Sequence, residues 1–99
     1  MRRVTISQAA LNDIHDVRQF YDAREHGIGD YFFRTLREDI ESLKHLHGIH
    51  RVHTGFHRMN ATTFPHFIYY SELGEETIVV AVPDQRRDPK WISRQLRQR

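Results

Sequence analysis

Cysteine is absent from the chain, which excludes a disulfide framework and thiolate chemistry and makes a cytoplasmic address the simplest expectation. No apolar run approaches the roughly 20 residues of a membrane helix, so no membrane partner is expected. The opening MRRVTISQAALNDI has two arginines but no apolar stretch behind them, so a secretory signal is not expected. Internal repeats, low-complexity segments and a glycine-rich phosphate loop are also missing. The four serines, Ser7, Ser42, Ser71 and Ser93, lie outside any G-x-S-x-G elbow, which leaves a nucleophilic triad without support. What is present is 99 residues with 38% hydrophobic side chains and a mean hydropathy of −0.69. That suits one domain with a thin core.

The stretch from Phe64 to Pro89, FPHFIYYSELGEETIVVAVPDQRRDP, organises the reading. Phe67 to Glu72 and Thr77 to Val82 are rich in the aromatic and β-branched residues that fit a pleated surface. Leu73-Gly74-Glu75-Glu76 between them suits a hairpin turn. IVVAV is nearly continuous, as in a strand buried on both faces. Tyr69 and Tyr70 point to opposite faces, so at most one of them is placed to stack a base. Past Pro83-Asp84 the chain turns basic: residues 84–99 carry Arg86, Arg87, Lys90, Arg94, Arg97 and Arg99 against Asp84 and Asp88. Residues 7–47 carry more acids than bases. The asymmetry suggests one basic end facing an anionic surface, or simply a solvated tail.

Upstream, Arg3 to Ile6 is a short β-branched strand candidate. Ser7 is placed to cap a helix running from Gln8 to about Glu25, with Ala10, Ile14, Val17 and Tyr21 at helical spacing and Gly27 beyond its end. A second helix is expected from an Asp30 cap to His47, with a Phe33, Leu36, Ile40, Leu43 stripe and Gly48 closing it. Two long helices joined by about four residues pack antiparallel. His50 to His53 and Phe56 to Ala61 are further strand candidates, and Pro65 should hold His66 at a strand start. The expected fold is α+β in the order β-α-α-β-β-β-β. An N-terminal strand and an antiparallel helical hairpin pack on one face of a mainly antiparallel sheet of four to five strands. Residues 1–99 form a single domain, with 84–99 a basic C-terminal segment.

Eight histidines invite a metal reading at His45, His47, His50, His53 and His57. No pair lies at i, i+4 on a helix and no HExxH occurs, so neither metal nor cofactor is expected. Asp13, Asp16, Glu38, Asp39 and Glu41 fall mostly on expected outer helix faces, as solubilising charges do. The remaining constellation is of polyanion type: Arg51, His53, His57 and Arg58 on the middle strands, with Arg86 and Arg87 after the last one. On one sheet face these would supply positive charge and proton-transferring imidazoles near a phosphodiester; on the solvent side they would be ordinary strand residues.

Taken together, the element order and FPHFIYY…IVVAVPDQRRDPKWISR resemble the RelE/ParE superfamily of type II toxins, across about Val4 to Arg94. The resemblance implies a growth-arresting protein neutralised by a cognate antitoxin. It also implies one of two targets. The RelE-like branch is a metal-independent endonuclease that cuts mRNA on the ribosome; the ParE-like branch, which includes plasmid stabilisation proteins, poisons DNA gyrase. Arg58 matches the middle-strand arginine, and Arg86 and Arg87 match the basic pair. Many members have histidine where this chain has Asp84. An aspartate cannot donate a proton at neutral pH, and this favours the gyrase-directed branch; the mRNA endonuclease is the alternative. A third reading is a non-toxic domain that binds a partner or nucleic acid. The implied target-contacting residues are Arg51, Arg58, Arg86, Arg87, Lys90 and Trp91. In the nuclease reading the catalytic set is Arg58, Arg86, Arg87, His53 and His57. Apolar residues beside the main helical stripes, Leu11, Phe20 and Phe32, are expected to join Arg87 in holding the antitoxin.

Overall fold

Ser7 starts the first helix as its position suggests: its hydroxyl accepts the Ala10 N–H at 3.1 Å, satisfying one of the orphan donors of the first turn. The computed structural model describes residues 2–99. The elements are β1 (Arg3–Ile6), α1 (Gln8–Arg24), α2 (Ile28–Glu41), α3 (Leu43–Leu46), β2 (Val52–His53), β3 (Phe56–Asn60), β4 (Phe67–Leu73), β5 (Glu76–Ala81) and α4 (Pro89–Arg97). The five strands form one sheet in the order β1-β5-β4-β3-β2. Its pairings are antiparallel except for β1, which runs parallel to β5.

The expected α+β architecture holds, with three corrections. The second helix begins at Ile28, not at an Asp30 cap. Gly27, at φ 93°, occupies the left-handed region before it, and Asp22 of α1 accepts the Gly27 N–H at 2.9 Å and the Gly29 N–H at 3.3 Å. A side chain on Gly29 would meet the Arg18 carbonyl at 2.4 Å, so this glycine sets how closely the two helices approach. Nor does the second helix run unbroken to His47. The Ser42 hydroxyl donates to the Asp39 carbonyl at 2.6 Å, the kind of local bond that competes with the helical ladder and bends it. The C-terminal segment is not a solvated tail but helix α4. Asp88 caps it by accepting the Lys90 N–H at 3.0 Å, and Pro89 sits in its first turn, where a missing N–H costs nothing.

These elements bury the two faces of the sheet separately. On one face Ala10, Ile14, Phe32, Leu36, Ile40 and Leu43 pack with Met59, Ile68, Tyr70, Val79 and Val82. On the other, Ile92 and Leu96 of α4 cover Tyr69, Val80 and Ala81. The valine-rich strand therefore contributes adjacent residues, Val79 and Val80, to opposite clusters, as its unbroken apolar run implies. Both tyrosines are buried, Tyr69 in one cluster and Tyr70 in the other, so neither is open to stack a base.

Candidate functional site

Strand β5 delivers the chain to Pro83 and Asp84, and an isolated antiparallel bridge between His66 and Asp84 fixes that end to the start of β4. Asp84 then folds back on its own chain. Its Oδ1 accepts the Arg86 backbone N–H at 2.8 Å and Nε–H at 2.9 Å, while Oδ2 accepts from Nη2 at 2.7 Å. These bonds from Arg86 hold the Asp84 carboxyl at a pKa of about 2, a permanent anion at neutral pH. Arg86 is correspondingly occupied. Arg87 is not: its guanidinium lies 3.6 Å from the centre of the Trp91 ring, a cation–π contact made by an exposed residue.

Behind this turn His66 is buried. Its Nδ1 lies 3.1 Å from the Val82 carbonyl and its Nε2 3.2 Å from the Tyr21 hydroxyl. A carbonyl only accepts, so Nδ1 carries the proton and Nε2 accepts from Tyr21. Burial pushes the imidazole pKa down, against the raising influence of the Val82 carbonyl and Asp84; burial likewise raises Tyr21. The residue thus ties α1 to the sheet as a neutral, satisfied core histidine. A cleft of about 370 Å³ opens beside it between α1 and α4, with Phe20, Arg87 and Trp91 among its walls and Ala81 and Val82 among its apolar lining. Arg99 closes one end of it, bonding both oxygens of Asp13 at 2.9 and 3.0 Å and the Val80 carbonyl at 2.7 Å.

The middle strands divide the expected polyanion set. Arg58 pairs with Tyr69 across the sheet and lies over the Phe67 ring at 4.3 Å, on the α4 face. His53 is on that face too, opposite Phe56. Partial burial, then the Arg58 and Arg51 guanidiniums, lower its pKa, so it is a neutral imidazole at pH 7. His57 does not join them. It projects to the hairpin face, stacked on Tyr70 at 5.0 Å, with Nδ1 donating to the His50 carbonyl at 2.7 Å. Strand alternation makes this unavoidable, since His57 and Arg58 are neighbours. Lys90 is exposed at the start of α4.

The expected antitoxin-contacting residues also separate. Leu11 and Phe20 are 42% and 51% exposed on α1, but Phe32 is 1% exposed. Phe32 belongs to the core, and its neighbour Phe33 is the half-buried ring. Phe20 and Arg87 do meet, as walls of the same cleft. Tyr21, expected only as part of an apolar stripe, bonds His66, and Asp13, expected as a solubilising charge, is instead held by Arg99. The sequence reading did not see the i, i+4 pair Ile92 and Leu96, whose spacing after Asp88-Pro89 was the available signal for α4.

No protein-family model matches the chain, and no curated protein matches it. Among solved structures it is similar to a chain from the structure described as "Chromosomal ParDE TA system from P. aeruginosa". The TM-score is 0.76 at 13% identity, covering 85% of this chain and 96% of that one. At that identity the likeness is one of fold.

Proposed function

We propose that this chain is the toxin of a type II toxin–antitoxin pair, arresting growth by binding DNA gyrase and neutralised by a cognate antitoxin. The fold it shares with a chain of a ParDE system supports the pair, as does the FPHFIYY…RRDPKW pattern. The observation that carries the choice of target is the Asp84–Arg86 chelate. Cleaving RNA without a metal needs one group to take the 2′-hydroxyl proton and another to protonate the leaving oxygen. With its pKa held at about 2, Asp84 is an acceptor only, and it places negative charge where a phosphate would sit. The groups left at the end of β5 bind rather than transfer protons.

Inducing the chain in a bacterial host should stop growth, and coexpressing its antitoxin should restore it; purified protein should inhibit supercoiling by gyrase. Normal growth with soluble protein would favour a non-toxic binding domain. One observation favours the mRNA endonuclease as a second reading: His53 is a neutral imidazole beside Arg51 and Arg58, able to accept a proton next to two cations. Mapping mRNA 5′ ends separates the readings. Cuts at ribosomal A-site positions, lost in Arg58→Ala or Arg87→Ala, would overturn the gyrase assignment.

A further inference from the structure

Helix α4 buries Ile92 and Leu96 and turns Lys90, Arg94 and Arg97 outward in one row, beside Ser93. The Ser93 hydroxyl meets that of Thr54 at 3.5 Å, which places the β2–β3 turn against the middle of the helix. Across that turn the Arg58 N–H donates to the Arg51 carbonyl at 3.0 Å, and both guanidiniums lie close enough to His53 to lower its pKa. Among the described residues, none of Arg51, Arg58, Arg87, Lys90, Arg94 and Arg97 forms an ion pair. The nearby carboxylates are already engaged, Asp84 by Arg86 and Asp88 by the Lys90 backbone N–H. Like charges cost free energy when gathered without partners, so a row of one sign points to an anionic ligand that is not part of this chain.

The aromatic side chains narrow its chemistry. Proteins that hold single strands offer open rings on which bases stack. On this face Arg87 covers Trp91 and Arg58 covers Phe67, and Tyr69 is buried. The exposed rings, Phe20 and Tyr31, belong to the helical hairpin and have Arg24 and Arg34 over them. A rigid basic row with capped aromatics suits the regular phosphates of a duplex and carries no means of reading bases. We infer that the α4 face, from Arg51 and Arg58 across Lys90, Arg94 and Arg97, binds the phosphate backbone of a double-stranded nucleic acid without sequence preference. The inference enlarges the target-contacting surface of the toxin reading. It is read by binding alone, so its failure and the absence of growth arrest are separate results.

The test uses full-length protein made by cell-free synthesis and fluorescence anisotropy with labelled 20-base-pair duplex DNA, duplex RNA, a 20-nucleotide oligo(dT) and poly-glutamate as competitor. Either duplex should bind, and the tighter one names the source of the backbone. With four to six phosphates neutralised, raising salt from 50 to 200 mM should weaken binding by about 10²- to 10³-fold. The double variant Arg94→Gln/Arg97→Gln should lower the slope of log K against log salt by about two. Arg24→Gln/Arg34→Gln on the helical hairpin should leave it unchanged, and circular dichroism should show both variants folded. Three outcomes overturn the inference: no duplex binding at 50 mM salt, tighter binding of oligo(dT) than of either duplex, or displacement by poly-glutamate at matched charge. The last would assign the face to an acidic protein.

Discussion

Under the helical hairpin, six residues from α1, α2 and α3 meet five from the sheet; under α4, Ile92 and Leu96 meet Tyr69, Val80 and Ala81. The outer sides differ in the opposite sense. The hairpin mixes both signs and pairs some of them, as in Arg18–Asp30 and Lys44–Glu41, whereas the row along α4 is of one sign and, among the described residues, has no ion pairs. Division of labour follows from this. The hairpin side supplies most of the apolar burial that holds the sheet, and the α4 side needs only enough to position its cations. Part of that positioning comes from the Arg99 bonds to Asp13 and the Val80 carbonyl, which fasten the end of α4 to α1 and β5.

The contrast breaks most directly on paired truncations. Phe32→Ala removes a buried ring among packed neighbours and should cost about 3–5 kcal/mol, whereas Leu96→Ala, at the wall of an open cleft that solvent can refill, should cost about 2 kcal/mol. Urea unfolding of the two variants measures both. Equal costs would mean that α4 is as integral to the core as the hairpin.

A smaller effect separates the two sides at the cleft, where Phe20 and Arg87 face each other's space. In the proposed toxin role, an antitoxin segment covering Phe20 would gain about 1–1.5 kcal/mol from the half of the ring still exposed. An exposed ion pair at Arg87 gives about 1 kcal/mol or less. Phe20→Ala should therefore weaken antitoxin binding more than Arg87→Ala, and only the arginine variant should change the salt dependence of association. Calorimetry with the purified antitoxin decides it; a larger loss at Arg87 would make charge the main anchor.

The sheet was legible because runs such as IVVAV and FIYY have no other way to satisfy both their bulk and their period. The first helix was legible through Ser7 and its stripe. The phase of the second was not, since Phe32 and Phe33 both continue the spacing of Leu36, Ile40 and Leu43. Its end was hidden because a serine in a helix gives no sign of which carbonyl its hydroxyl will take. Helix α4 was masked by its charges, although Asp88-Pro89 and the Ile92, Leu96 spacing were present. At the candidate site, the alternation that parts His57 from Arg58 was readable from their adjacency. The chelate of Arg86 by Asp84 was not, because it depends on a turn held by bonds to a distant stretch of chain, the His66 bridge and the Gln85 N–H on the Pro65 carbonyl.

The smallest expected effects are on pH dependence, and they again set the two sides apart. His66, at the root of α1, has its pKa lowered by burial, while in the unfolded chain it titrates near 6.5. Below about pH 6.5 the unfolded state takes up a proton that the folded state resists, so stability is full above that pH and declines as pH falls. Asp84, on the α4 side, is depressed from 3.8 to about 2. Its contribution is present above about pH 4 and lost as pH falls through about 2. Because Arg86 is 70% exposed, solvent screening limits that contribution to about 1 kcal/mol or less. Denaturant midpoints followed from pH 8 to pH 2 should therefore fall in two stages. His66→Gln should reduce the upper stage, to which His50 and His53 also contribute through pKa values lowered by burial, and leave the lower; Asp84→Asn should do the reverse. An upper stage undiminished by His66→Gln would assign it to those two imidazoles, and His66 would then be less shielded than its burial requires.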